Sequence, residues 1–254
     1  QWTGARGGPA FFAYSANYLI DTDNGVILDV EATRSIRQAE VGSVRTMVDR
    51  VAGTFELKPE RLIADTAYGT GEMLDWLVEE RGIAPHIPVV DKSGRKDGTF
   101  ERADFIYDTH NEAYICPGGK ELKQYRRAFT TPKQTKPNKD GVLRYRARKA
   151  DCDGCTLKSR CCPKEPQRKV TRSIYEPSRD VARAIAKTAQ YAISCKLRKK
   201  VEMLFAHLKR ILGLGRLRLR GPCGARDEFH LAATAQNLRK LVKLIPAAPK
   251  ARTA

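Results

Sequence analysis

No stretch of the 254 residues approaches the ~18 consecutive apolar residues of a membrane-spanning helix, and the opening QWTGARGGPAFFAYSANYLI lacks the regions of a signal peptide. A soluble, intracellular protein with no membrane partner is therefore expected. No internal repeat is visible. Acidic residues are scarce: 29 Asp and Glu face 47 Lys and Arg, a formal charge of +18 with a pI near 9.8. Such a chain repels itself unless an anion lies against it, and the commonest such partner is nucleic acid. The hydrophobic fraction of 41% is near the globular norm and excludes wholesale disorder, and the length suits one large domain or two small ones. Seven cysteines without an export signal argue against a disulfide framework and for metal binding or burial.

Gln1 to Pro9 is Gly-rich and lacks an initiator Met, which suggests a piece of a longer reading frame. Tyr14 to Asp21 and Val26 to Thr33 are β-rich runs flanking an Asn-Gly turn, which predicts a hairpin. Val41, Val44, Met47, Val48 and Val51 recur at three and four, which predicts an amphipathic helix over 38–55. A short strand from Arg61 then stops at Asp65 before a Gly-containing loop, and a helix over 71–81 ends at Gly82. Ala84 to Val90 predicts a buried strand. From Asp91 to about Glu176 the composition turns to Lys, Arg, Gly, Pro and clustered cysteines, with only short strand-like pieces at 105–107 and 114–116, as in an inserted subdomain. Helices are predicted over 179–212 and 227–244. The fold class is α/β, with a mixed sheet, flanking helices and a small cysteine-bearing insert.

Two acids stand out. Asp65 lies where an apolar strand gives way to a loop, the place in an open α/β sheet where ligands gather. Taken alone, it equally suits a turn or N-cap aspartate. Glu202 is an acid in a helix that is otherwise basic on its polar face, and Arg198 and Lys209, four residues before and seven after, share its stripe. An Arg198–Glu202 surface salt bridge, worth under about 1 kcal/mol, is the plain account. The alternative is a carboxylate that holds a divalent cation while its basic neighbours hold phosphates, the combination that phosphodiester chemistry needs.

The phrase Ala64-Asp65-Thr66-Ala67-Tyr68-Gly69, and the series Arg198-x3-Glu202-x6-Lys209 followed by Arg216-x3-Arg220-Gly221, resemble bacterial insertion-sequence transposases of the DDE type, which have an RNase H-like catalytic core. The resemblance extends over nearly the whole chain, including the cysteine-bearing insert. It implies three acids binding two Mg²⁺ or Mn²⁺ ions, hydrolysis at the element end and joining of the freed 3′ hydroxyl to target DNA. Asp65 matches the second acid, Glu202 the third, and Arg198 and Lys209 the flanking basic residues. Where the family often has a Tyr three positions before the Arg, this chain has Cys195, with Tyr191 four residues further back. The first acid of such a core lies on a strand upstream of the hairpin. Asp21 and Asp29 are candidates that read as structural, so the first catalytic Asp is expected ahead of Gln1 and the chain by itself is expected to be catalytically defective. The implied division is residues 1–90 for the first part of the core, 91–176 for the insert, 177–246 for the C-terminal helical part and 247–254 for a disordered tail. The protein is expected in the bacterial cytoplasm, associated with the nucleoid, as a homo-oligomer during transposition.

Cys116, Cys152 and Cys155, with Cys161 or Cys162 six or seven residues on, have the types and spacing of a tetrahedral Zn²⁺ set, with Cys161 preferred. Burial of free cysteines is the alternative, disfavoured by a polar, basic segment with little core to bury them. Cys195 and Cys223 lie outside the cluster and read as structural. Lys120 to Lys149 and Lys158 to Arg172 are basic, with Tyr125, Phe129 and Tyr145 interleaved. Arg216, Arg218 and Arg220 alternate with Leu217 and Leu219, which predicts an extended row, leucines inward and arginines toward DNA phosphates. The four histidines show no metal spacing. A zinc-stabilised DNA-binding protein without catalysis, or a metal-dependent nuclease, are the competing functions.

Overall fold

The computed structural model describes residues 2–4, 8–91, 93–124, 137–139 and 141–245; Tyr125, Phe129 and the expected tail at 247–254 fall outside them. In chain order the strands are β1 (Trp2–Gly4), β2 (Ala10–Phe12), β3 (Tyr14–Asp21), β4 (Val26–Arg34), β5 (Arg61–Ile63), β6 (Ala84–His86), β7 (Ile106–Asp108), β8 (Ala113–Ile115), β9 (Glu121–Gln124), β10 (Val142–Arg146) and β11 (Lys169–Ser173). The helices are α1 (Arg37–Phe55), α2 (Gly71–Asp75), α3 (Lys149–Asp153), α4 (Lys158–Cys161), α5 (Glu176–Ile185), α6 (Ala189–Arg210) and α7 (Gly221–Leu244). The architecture is mixed α/β. Two compact units form, one of Gln1–Tyr68, Ile83–Ile87 and Ile185–Ala254, the other of Gly69–Gly82 and Pro88–Ala184.

In the first unit β3 and β4 pair antiparallel through a turn in which Gly25 takes a φ of +67°, with a bulge between Leu19 and Ile20. α1 buries Val44, Met47, Val48 and Val51 and packs on this hairpin, and Arg50 reaches both Asp29 and Glu31 at 2.8 Å. α7 packs on it too. There the Asn237 side chain donates to the Ile27 carbonyl at 2.7 Å and accepts from the Ile27 N–H at 2.9 Å, replacing a missing strand neighbour. Ile27, Val30, Leu204, Leu208, Ala225, Phe229, Ala232 and Ala233 make one apolar core. β5 and β6 form a separate parallel pair, Leu62 opposite Pro85. Near the N-terminus β1 and β2 form a hairpin that the sequence did not suggest.

The second unit departs further from expectation. Its strands form a five-stranded antiparallel sheet in the order β11-β10-β9-β8-β7, where only two short pieces were expected. A real core lies against it, made of Phe105, Tyr114, Leu122, Tyr145, Val170, Cys152, Cys161 and Cys162. The premise that this segment has too little core to bury cysteines is therefore corrected. Its inward face was illegible because arginines share it: Arg172 stacks 3.8 Å over the Tyr107 ring and Arg168 4.9 Å over Phe105, so charge stands where a strand normally carries an aliphatic residue.

α5 carries Glu176 into this unit, 1% exposed. It is ion-paired with Arg102, with Arg183 at 2.7 Å and with Arg179 at 3.2 Å. Burial opposes its ionisation, but the hydrogen bonds from Arg102 and Arg183 outweigh it and hold the carboxyl below the usual range. The single helix expected over 179–212 is two, because Thr188 leaves the helical path to cap α6, its hydroxyl accepting from the Tyr191 N–H at 3.2 Å. α7 starts six residues earlier than expected, with Pro222 in its first turn where a missing N–H costs nothing.

Candidate active site and nucleic-acid interface

Asp65 follows β5 by two residues and is exposed. Its Oδ1 accepts the Ala67 N–H at 2.7 Å and its carbonyl accepts the Tyr68 N–H at 3.2 Å, so the turn role foreseen for it is real. One carboxylate oxygen is used; among the described residues Oδ2 accepts no hydrogen bond, which leaves it open to an external cation. Beside it the Tyr68 hydroxyl is pushed up by burial and further by the Asp65 and Glu40 carboxylates.

Among the described residues, two hydrogen bonds tie α6 to the β5–β6 pair and the residue that follows β5. Buried Ser194 shares a 2.8 Å hydrogen bond with Nδ1 of buried His86, on β6. One turn further, Arg198 donates from Nη1 to the Ala64 carbonyl over a long 3.4 Å, directly before Asp65. Among the described residues no ion pair joins Arg198 and Glu202, so the plain surface bridge is not what the structure contains. The guanidinium turns toward the strand end, and the carboxylate of the exposed Glu202, one helical turn (about 5.4 Å of rise) beyond, has no ion pair among the described residues. Lys209, two turns on, is also exposed. Leu204 and Leu208 on the opposite face sit in the core, fixing the rotation of the helix. Burial and the nearby Arg61 charge lower the His86 pKa, so its ring is neutral at pH 7. Tyr191 stacks on it, centroids 6.1 Å apart. Sequence reasoning passed over Ser194 and His86; the one available signal was a histidine inside an otherwise apolar strand.

Asp21 and Asp29 both have local partners. Asp21 accepts from the Asp23 and Asn24 backbone and the Asn24 side chain, holding the hairpin turn, and Asp29 is tied to Arg50.

Arg216, Arg218 and Arg220 are all exposed on an irregular segment between α6 and α7. Only half of the expected leucine pattern holds: Leu217 packs on the core, whereas Leu219 is 51% exposed. At Leu219 the segment passes close to α7, where a Cβ on Gly224 would lie 2.6 Å from Leu219 Cβ.

In the second unit Cys116, Cys152, Cys155, Cys161 and Cys162 border one cavity of about 20 Å³, room for a single water-sized sphere. The sequence-adjacent pairs are brought to one place. Even so, among the described residues no three His, Cys, Asp or Glu side chains are grouped so as to hold a metal ion. No zinc-holding group is therefore shown at Cys116, Cys152, Cys155 and Cys161, and Cys152, Cys161 and Cys162 are buried in the apolar core.

A family model described as a transposase DDE domain matches residues 115–242, just over half the chain. The chain belongs to the DDE transposases. The matched stretch contains Glu202, its basic neighbours and the arginine row; Asp65 lies ahead of it. No curated protein and no solved structure matches the chain. Membership of this family carries a DNA substrate and a divalent metal such as Mg²⁺. The donor chemistry at Asp65 and Glu202 suits that ion, two exposed carboxylates being hard oxygen ligands. Among the described residues no helix is long and apolar enough to cross a membrane.

Proposed function

We propose that this DDE transposase acts on the ends of a bacterial insertion sequence, hydrolysing the terminal phosphodiester and joining the freed 3′ hydroxyl to target DNA, with Asp65 and Glu202 as two of its three metal-holding acids. The observation that carries this reading is the Arg198 contact with the Ala64 carbonyl, which ties the helix of Glu202 to the strand end of Asp65 within one compact unit while leaving both carboxylates open. Asp65 and Glu202 would hold divalent Mg²⁺, which when bound would supply an activated oxygen nucleophile and charge neutralisation at the scissile phosphate. The protein's own contribution is positional. Asp65 and Glu202 present oxygen ligands, Ser194 and His86 fix the helix, Lys209 and the arginine row hold DNA phosphates, and the anchored α6 keeps these groups in register.

The remaining acid, the first in chain order, belongs in this reading to an RNase H-like central strand upstream of the hairpin.

The test is Mg²⁺- or Mn²⁺-dependent cleavage and strand transfer on element-end DNA, by the chain alone and by the chain with its native upstream sequence. The extended protein is expected to cleave and join. Asp65→Asn and Glu202→Gln should each abolish both steps with DNA binding retained, and the chain alone should be inactive, since a site displaced by even 1 Å loses ~10²-fold in rate. Cleavage without joining would favour the nuclease reading, and salt-sensitive binding without either step a binding module. Robust cleavage by the chain alone, lost in Asp21→Ala, would show that the first acid was misplaced.

A further inference from the structure

The arginine row ends where α7 begins, and a segment of three exposed arginines on an irregular backbone should be a loose one. Each cation repels its neighbours, and no ladder holds the chain. Yet two consecutive amides of the row, those of Arg218 and Leu219, both donate to Oε1 of Glu228 in α7, at 2.6 and 2.5 Å. Glu228 is half-buried and stands beside core residues Ala225 and Phe229, so its backbone is anchored. Below it Gly224 gives the row room to lie against the helix.

A carboxylate bonded to the backbone of a row of three arginines would ordinarily be expected to pair with one of their side chains and neutralise it. Here, among the described residues, it binds the backbone and forms no ion pair with Arg216, Arg218 or Arg220. The charge is used to fix the chain, and the three guanidinium groups remain available to an anion. From this we infer that Glu228 is a positioning residue for nucleic-acid binding: it clamps the Arg218 and Leu219 amides so that the three arginines meet successive backbone phosphates. The inference rests on the proposed role of the row as a DNA interface and extends it to an acidic residue whose charge alone would oppose binding.

That opposition of sign makes the test decisive. Affinity for a short random-sequence B-form duplex is measured over a range of salt for the whole chain and its Glu228→Ala and Glu228→Gln variants, with circular-dichroism melts alongside. Both substitutions remove the same negative charge, but only Gln keeps an oxygen to accept the two amides. Glu228→Gln is expected to bind as tightly as the parent or more so. Glu228→Ala should bind about tenfold more weakly, with the slope of log K against log salt shallower by about one, as one phosphate contact is lost. Gly224→Ala, which forces Leu219 away without altering charge, should reproduce that loss and carries the test should Glu228→Ala melt early.

Equal affinities for the Ala and Gln variants, with Gly224→Ala unchanged, overturn the positioning role. The triple variant of Arg216, Arg218 and Arg220 to Ala separates the two levels. If it binds normally, the DNA interface itself is misassigned; if it weakens binding while Glu228→Ala matches Glu228→Gln, only the clamp is wrong.

Discussion

Replacing Ser194 by Ala removes one oxygen from a site where both partners are nearly sealed from water, Ser194 at 1% and His86 at 5% exposure. The cavity left is smaller than a methyl group, so packing changes little. The cost comes from His86 Nδ1, which loses its partner in a place water does not reach, and that is worth about 1–3 kcal/mol. With a loss of about 2 kcal/mol the unfolding midpoint falls by roughly 4–8 °C for a protein of this size. Denaturant and thermal unfolding, followed by circular dichroism, measure it. In a His86→Phe background the same serine substitution should cost at least about 1 kcal/mol less, since the orphaned nitrogen is gone. The pH dependence follows from the lowered His86 pKa. The unfolded ring takes up a proton at ~6.5, before the folded one does, so stability is full above that value and declines as pH falls through the folded pKa. His86→Phe should flatten this decline. A Ser194→Ala cost below about 0.5 kcal/mol, equal in both backgrounds, would refute the claim that this bond fixes α6 to the strand pair.

Three further outcomes are expected. Glu176→Ala removes the buried carboxylate shared by Arg102, Arg179 and Arg183, which keep Asp91 as a partner, and should destabilise its unit by about 1–3 kcal/mol, seen as faster limited proteolysis; because its folded pKa is depressed, the wild-type contribution is present above ~4.3 and is lost as pH falls below it. Leu208→Ala should cost about 2–5 kcal/mol, whereas Met203→Ala, five residues away on the 71%-exposed face of the same helix, should change urea unfolding by under about 0.5 kcal/mol. Under native alkylation read by mass spectrometry, exposed Cys223 should be modified first, and buried Cys152, Cys161 and Cys162 only after denaturant unfolds their unit; early modification of those three would contradict the apolar core around them.

Local signals were read where one force dominates. The Thr22 to Gly25 turn gave the hairpin because a positive φ suits Gly25, and the three-four spacing of Val44, Met47, Val48 and Val51 gave α1 because those residues do face inward. Asp65 looked like both a turn residue and a candidate ligand, and one of its oxygens serves the turn. Reading failed where long-range partners substitute for local pattern. Arg168 and Arg172 face inward on aromatic rings, which concealed strands of the five-stranded sheet, and Thr188 broke one apolar-periodic stretch into α5 and α6.

By itself the sequence determined the charge, the element types along most of the chain and the family phrases around Asp65 and Glu202, because these depend on residues adjacent in the chain or one helical turn apart. Tertiary structure alone decided that Arg198 turns to the Ala64 carbonyl instead of pairing with Glu202, that Ser194 meets His86 108 residues away, and that Glu228 spends its charge on backbone amides. Each is a choice among several partners of similar local strength. Only packing, by deciding which polar groups are shut away from water and which partners stand within reach, makes one of them lower in energy.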